Sequence, residues 1–369
     1  FEDFERFDDP SKSLIATLSA ITRGNLAVLV SIAGSSPSPY GEEVEEHRLS
    51  PLSDEQSMLL AQQLFDDAVP ADVIERIAEV GQGQPLFIEQ AAYAMANEGI
   101  TDPPDRLGDL IATRVQRVEQ EERSLLQWMA VYNDAITPIT LSRLSGRAVT
   151  SEQLDALVNR GLLRSGRGKL SASRRVYSFA HHMVAMVVYS SIPAEVRRER
   201  HQAIAEHLRQ TDAPVTTVAY HAYEADDGPR AVEELDQAGA WATRCLDPRG
   251  AMRCYTNALN LVRREWGRGR VAAVELDQMA VELALRLAEV LRETDDALTA
   301  EGVLGEALSV AAGHDSERAR LRLELGRLDH FQHGPGALVV DLPLYPARAG
   351  TLYSRLGDLF VLLCALGLA

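Results

Sequence analysis

Apolar residues recur every three or four positions over most of this sequence, the spacing that places them on one face of an α-helix. Such faces begin near Ser53, Val73, Pro85, Leu107 and Leu125. From Glu195 onward the chain is predicted to be helical again, in pairs of helices. The pattern therefore predicts a mainly α protein.

The first fifty residues have a different pattern. A helix is predicted to start at Asp9-Pro10-Ser11, and the continuous apolar run Leu26–Ile32 predicts a buried parallel strand. With Phe1–Phe4 as the end of an earlier strand, this segment predicts one βαβ unit of a partial α/β core. One such unit cannot form a sheet alone, and the sequence begins without methionine. We therefore expect the chain to be a fragment of a longer protein.

A second change of pattern lies between Ser151 and Ala180. A helix is predicted to end at Asn159-Arg160-Gly161, and two short strands, Leu162–Arg164 and Val176–Phe179, surround a glycine-rich turn. Helices followed by a small hairpin are typical of a winged helix.

Small and large apolar residues alternate regularly in the later helices. The spacing A-x3-large-x2-A occurs at Ala231/Leu235/Ala238, Ala251/Tyr255/Ala258 and Ala300/Leu304/Ala307. Alanine lets two helices approach closely while the large residue fills the groove, so the spacing predicts degenerate helical repeats. The alternative is that any alanine-rich helix produces these matches.

The chain carries 54 acidic and 37 basic residues among 369, a formal net charge of −17. This charge argues against general binding to nucleic acid or anionic membranes, because like charges repel. Three cysteines are too few and too scattered for a disulfide framework. No apolar run is long enough to span a membrane. These features predict a cytoplasmic protein.

One region reverses the charge. No acidic residue occurs from Ala156 to Ala194, whereas six basic ones do: Arg160, Arg164, Arg167, Lys169, Arg174 and Arg175. Such a cluster could contact nucleic acid, dock on an acidic surface of the same protein, or be a solvated surface. Docking within the protein is favoured, because no aromatic or amide-rich recognition helix accompanies the arginines.

Three motifs together resemble the C-terminal two-thirds of a STAND-type (AAA-like) signalling ATPase. They are Gly83-Gln84-Pro85-Leu86-Phe87-Ile88-Glu89, the pair Asp155–Leu163 with Tyr177–His181, and Phe1–Phe4 with Asp8–Ser11. The resemblance covers roughly residues 1–210 well and the tetratricopeptide-like (TPR-like) region more loosely. Such modules belong to large bacterial regulators and are fused to Ser/Thr kinase, adenylate cyclase or LuxR-type DNA-binding domains.

The resemblance implies a set of site residues. Glu2 would hold Mg²⁺ through water, Asp3 would orient the attacking water, and Pro85, after the tight turn at Gly83, would pack against ATP or ADP. The alternatives are an acidic strand end and an ordinary Gly-x-Pro helix start. His181 matches the family histidine and is predicted to have a structural or hydrogen-bonding role. A metal site with His182 is disfavoured, because adjacent helical residues diverge by about 100°.

The phosphate-binding motif G-x-x-x-x-G-K-[ST] does not occur in these 369 residues. We therefore expect ATP and Mg²⁺ to bind only when that loop is supplied by a longer protein, and the fragment itself to be inactive. The chain also departs from the family pattern at Glu5-Arg6 and at Ser31-Ile32-Ala33, which puts efficient hydrolysis in doubt.

The predicted organisation has five parts. They are the C-terminal part of a P-loop NTPase core (1–50), a helical lid (51–118), a winged-helix-like domain (119–210), TPR-like helical repeats (211–334) and a divergent tail (335–369). The predicted function is that of an ATP-dependent signal-transduction regulator. Its repeats would bind a protein partner, and an upstream Ser/Thr protein kinase would be the effector. The alternatives are a non-enzymatic helical interaction scaffold with a decayed ATPase core, and a LuxR-type transcriptional regulator.

Overall fold

The computed structural model of the chain describes residues 4, 7, 9–21, 28–32, 47–65, 69–167, 175–211, 213–269, 273–294, 296–311 and 315–333. Within these ranges the protein has sixteen α-helices and one two-stranded sheet. The predicted mainly α fold is confirmed. The chain divides into two compact units: a central unit, Gly41–Thr211, and a split unit formed by Phe1–Tyr40 with Asp212–Ala369.

The central unit begins with four helices around one apolar core. They are α2 (Asp54–Gln63), α3 (Ala71–Gly81), α4 (Pro85–Asn97) and α5 (Leu107–Gln116). Helix α2 starts with a capping box, in which Ser53 Oγ accepts from the Gln56 N–H and the Gln56 side chain accepts from the Ser53 N–H. Ile77, Ile88 and Leu110 are buried at the centre of the core.

The rest of the central unit contains five helices and the sheet. The elements in chain order are α6 (Gln120–Tyr132), α7 (Pro138–Ser145), α8 (Ser151–Asn159), β1 (Leu163–Arg167), β2 (Arg175–Phe179), α9 (His182–Ser190) and α10 (Ala194–Arg209). Strands β1 and β2 pair antiparallel, with Ser165 opposite Tyr177. The predicted order of helices followed by a hairpin is observed.

Six helices form the larger part of the split unit, and each packs mainly against the next in sequence. They are α11 (Val215–Ala225), α12 (Gly228–Arg244), α13 (Pro248–Arg268), α14 (Ala273–Glu293), α15 (Ala297–Val310) and α16 (Asp315–His333). All nine residues of the predicted A-x3-large-x2-A positions are buried. The close approach that this spacing predicts is clearest at Gly239, where an added Cβ would lie 2.5 Å from Cε1 of Tyr255.

The N-terminal segment of the split unit contains α1 (Asp9–Ile21), which starts where the sequence predicts. The prediction of a buried strand over Leu26–Ile32 is wrong for the part that is described. Residues 28–32 form no strand, and Leu29 is 85% exposed. A parallel strand is buried only between neighbouring strands. In this segment the Ser31 carbonyl accepts a hydrogen bond from the Phe4 N–H (2.9 Å).

None of the helices in the described ranges combines the length and apolarity needed to cross a membrane. The predicted tail, residues 335–369, lies outside the described residues.

Candidate functional site

The motif around Gly83 forms a tight turn between α3 and α4. Gln82 and Gly83 both have positive φ angles, 48° and 73°. The Leu52 N–H donates to the Gly83 carbonyl (2.9 Å), and a Cβ on Gly83 would lie 2.5 Å from the Leu52 carbonyl oxygen. Glycine is therefore required here both by the backbone conformation and by the neighbouring chain.

Pro85 is the first residue of α4, where its missing N–H costs no helical hydrogen bond. Its ring is exposed, whereas Phe87 and Ile88 point into the core. Leu86 and Glu89 lie on another face of the helix, and both line a cleft. The motif therefore has one face that builds the core and one that remains accessible.

The second motif supplies the opposite wall of this cleft. After α8 the chain turns through Gly161, which has φ = 66°, into β1. The Ala180 N–H, just after β2, donates to the Leu162 carbonyl (3.0 Å). His181 then caps α9, with Nδ1 accepting from the Met183 N–H at 3.1 Å. The predicted hydrogen-bonding role of His181 is confirmed.

The two motifs meet at one place in the central unit. The cleft between them has a volume of about 350 Å³. It is lined from α4 by Leu86, Glu89, Gln90, Ala92, Tyr93, Ala96 and Asn97, from the hairpin side by Gly161, Ala180 and His181, and also by Leu64. Segments about 65 to 95 residues apart in sequence thus share one surface.

A buried arginine ties the two walls together. Arg114 of α5 has a fully buried side chain. Its Nε donates to both carboxylate oxygens of Glu98 (3.2 Å each), and Nη1 donates to the Gln90 side chain. Its Nη2 donates to Glu98 and, at 2.5 Å, to the backbone carbonyl of Arg160. Helices α4 and α5 are therefore bonded to the turn that leads into the hairpin.

Tyr93 completes this arrangement. The Arg114 guanidinium carbon lies 4.4 Å from the centre of the Tyr93 ring, a distance typical of a cation–π contact. Burial raises the pKa of Tyr93, with Arg114 acting in the opposite direction. The ring therefore remains a neutral phenol at neutral pH, with Arg114 over one face, and Tyr93 lines the cleft.

The other predicted site residues divide into two groups. Glu2 and Asp3 lie outside the described residues. Gly83 and Pro85 are described: Gly83 shapes the turn, and the Pro85 ring is exposed at the start of α4. Neither supplies charge to a phosphate or a metal. Within the described ranges, no group of three or more His, Cys, Asp or Glu residues could hold a metal ion.

The basic segment is partly neutralised within the central unit. Arg175 Nη1 contacts Asp155 at 2.8 Å, and Arg160 Nη1 lies 3.9 Å from Glu122. Arg164 donates to Ser178 across the hairpin (3.1 Å). Lys169 and Arg174 lie outside the described residues.

Sequence reasoning missed the Arg114 network completely. The available signal was the position of Arg114 on the apolar face of α5, three residues after Ile111 and next to Val115, both of which are buried. A charged residue at such a position requires a buried partner. Nothing in the spacing identifies Glu98, Gln90 or the Arg160 carbonyl as that partner.

No protein-family model matches the sequence, and no curated protein matches it significantly. Among solved structures, the chain is similar to a Signal Transduction ATPase with Numerous Domains (STAND) protein with a tetratricopeptide repeat sensor from Pyrococcus horikoshii. The TM-score is 0.42 and the identity 14%. The match covers 78% of this chain but 46% of that chain, so this chain spans less than half the length of that protein.

Proposed function

We propose that this chain is the nucleotide-responsive and sensor portion of an ATP-dependent signal-transduction regulator of the STAND type. In this proposal residues 51–118 are the lid, residues 119–210 are a winged-helix-like domain, and residues 211–334 are TPR-like repeats. ATP or ADP with Mg²⁺ binds to the complete protein, in which a P-loop supplies the phosphate contacts. When bound, the nucleotide changes the relative free energies of two arrangements of the lid.

The observation that carries the proposal is the convergence of the two motifs on the α4–hairpin cleft. The turn at Gly83 fixes the start of α4, and Arg114 bonds α4 and α5 to the Arg160–Gly161 turn. A shift of Pro85 caused by a ligand would therefore be transmitted to the hairpin through a buried, hydrogen-bonded connection. A lid that moves alone would not need such a connection.

The repeats offer a surface for the proposed protein partner. A groove of about 470 Å³ lies between α12 and α14 and is lined by the half-buried Met279, by the acidic residues Glu233, Asp236, Glu275 and Glu282, and by Arg286, which pairs with Asp236. Its charge favours a partner segment that carries basic residues. We further propose an upstream Ser/Thr kinase as the effector and a cytoplasmic location.

The experiment is calorimetry of Mg-ATP binding to the product of the complete reading frame that encodes this chain. We expect one nucleotide per protein, weaker binding for Pro85→Ala, and slower hydrolysis with unchanged binding for Asp3→Asn. The 369-residue chain alone should show no tight binding. Absence of binding by the complete product would contradict the proposal.

A specific observation favours one alternative, a helical interaction scaffold. The residues at Ser31-Ile32-Ala33 depart from the family pattern, and residues 28–32 form no strand. A scaffold of this kind would bind its partner equally well with and without nucleotide, whereas a regulator would show affinities that differ between the ATP and ADP states.

A further inference from the structure

A second cavity lies in the central unit, between α6 and α10. It has a volume of about 560 Å³ and is lined by Gln120, Arg123, Ser124 and Gln127 of α6 and Arg200 of α10. None of these residues lines the α4–hairpin cleft. All five side chains carry hydrogen-bond donors, and none is a carboxylate.

Arg200 is held rigidly at this cavity. Its side chain is buried, with the residue 9% exposed. Its Nη2 donates to Gln127 Oε1 at 3.0 Å, and its guanidinium carbon lies 5.0 Å from the centre of the Trp128 ring. Its Nη1 is buried without a hydrogen-bond partner, and no carboxylate in the described part of the chain forms an ion pair with it. A guanidinium buried in this way is costly unless an anion pairs with it.

Arg123 also lines this cavity, and its Nη2 donates to the Gln116 carbonyl. The same Nη2 donates to the Val118 carbonyl at 2.8 Å, which fixes the side chain, while its Nε is buried without a partner. The nearest acidic residues of α6 face other arginines: Glu121 pairs with Arg147 (3.6 Å) and Glu122 faces Arg160 (3.9 Å). Neither of these carboxylates lines the cavity.

We propose that this cavity binds the phosphoryl group of a small phosphorylated molecule. Two guanidinium groups match a phosphomonoester, which carries a charge of about −1.5 to −2 at neutral pH. Arginine forks also match the geometry of phosphate oxygens, and Ser124 and the amides of Gln120 and Gln127 add neutral donors. A single carboxylate would leave one guanidinium unpaired. The net charge of −17 disfavours non-specific binding of anions. Binding of an anion to this protein would therefore indicate a specific site.

Fluorescence of Trp128 provides the test on the full chain. The protein has three tryptophans, so Trp241→Phe and Trp266→Phe leave Trp128 as the reporter. Inorganic phosphate and glycerol 3-phosphate are titrated at constant ionic strength, with acetate as the comparison anion. We expect saturable changes with both phosphates, tighter for the ester, and weaker binding of acetate by about tenfold or more.

Variants separate a built site from a general effect of anions. Arg200→Lys, which keeps the charge but loses the fork, and Arg123→Gln should each weaken phosphate binding by about tenfold or more. Arg198→Gln removes an exposed charge from the same helix and should leave binding unchanged.

If the arginine variants do not fold, Ser124→Ala should still weaken binding about threefold. Equal responses of the original chain and these site variants, equal binding of acetate, or no saturation would overturn the proposal. Binding of inorganic phosphate without preference for the ester would overturn the part that names a phosphorylated molecule.

Discussion

The central unit and the helices α11–α16 are held together by different interactions. In the central unit, Arg114 and its partner Glu98 are both nearly inaccessible to solvent, with side-chain exposures of 0% and 10%, and they connect elements distant in sequence. In the repeats, small apolar residues let neighbouring helices approach, and ion pairs such as Arg263–Glu306 (2.5 Å) lie at the surface. The buried carboxylate of Glu265 also forms an ion pair there, with the partly exposed Arg268 (2.8 Å).

This difference has a mechanical consequence. Apolar packing between sequential helices is non-directional. We therefore expect a displacement of one helix in the repeats to be accommodated by its immediate neighbours. A buried charge has a narrow range of acceptable partners, so a small displacement of Glu98 or of the Arg160 carbonyl is costly. In the proposed function, the central unit would be the element with two arrangements, and the repeats would be the binding surface.

The largest effect is predicted for Arg114→Met. The variant keeps the apolar bulk but leaves the Glu98 carboxylate without its buried partner, and we expect a loss of about 3–5 kcal/mol in the free energy of unfolding. Urea denaturation followed by Trp128 fluorescence measures it. Arg76→Met, which removes the exposed pairs with Glu79 and Asp102, is the control and should cause a far smaller change. A similar change for both variants would show that the Arg114 network does not hold the central unit together.

A pH-dependent effect is predicted for the repeats. Burial lowers the pKa of His221, in α11, to about 4 from its usual 6.5. The unfolded chain then takes up a proton at a higher pH than the folded one, so stability from this group is present above pH 6.5 and is lost as the pH falls towards 4. The loss reaches about 3 kcal/mol at most.

The measurement for His221 is urea denaturation at several pH values between 7 and 4. His221→Gln should remove this part of the pH dependence, whereas His182→Gln, at an exposed position, should retain it. An unchanged pH profile for His221→Gln would contradict the assignment.

The smallest of the three effects is predicted for Gly239→Ala. The added Cβ would meet the Tyr255 ring at 2.5 Å, so we expect a loss of about 1–3 kcal/mol through overpacking between α12 and α13. Gly302→Ala is the matched control, because its Cβ would meet nothing within 4 Å, and it should stabilise α15 by about 0.5–1 kcal/mol. Thermal unfolding compares the two variants. A stabilised Gly239→Ala would mean that the helices are less tightly packed than described.

Much of the helical structure could be predicted because it depends on local signals. The capping box at Ser53, the proline at the start of α4 and the glycine after α8 act within a few residues of where they stand. The hairpin was predictable for the same reason. The run at residues 28–32 shows the limit: its apolar composition indicates burial in a sheet, but it cannot indicate whether the neighbouring strands are present.

The candidate site was predictable only in part. The motifs identify Gly83, Pro85 and His181, yet the connection between them depends on Arg114, whose partners are 16, 24 and 46 residues away. Contacts at such separations are set by packing of the whole unit. The apolar face on which Arg114 lies indicates that it is buried, but it does not indicate which groups pair with it.

The most direct test of the account is hydrogen–deuterium exchange of the complete-frame product with and without Mg-ADP. We predict that nucleotide changes the protection from exchange around both Pro85 and His181 and leaves the protection of α13 unaffected. In Arg114→Met, the change at His181 should be abolished and the change at Pro85 retained. Changes confined to Pro85 in the original protein, or an unaltered response at His181 in Arg114→Met, would contradict the claim that the buried arginine couples the two walls of the cleft.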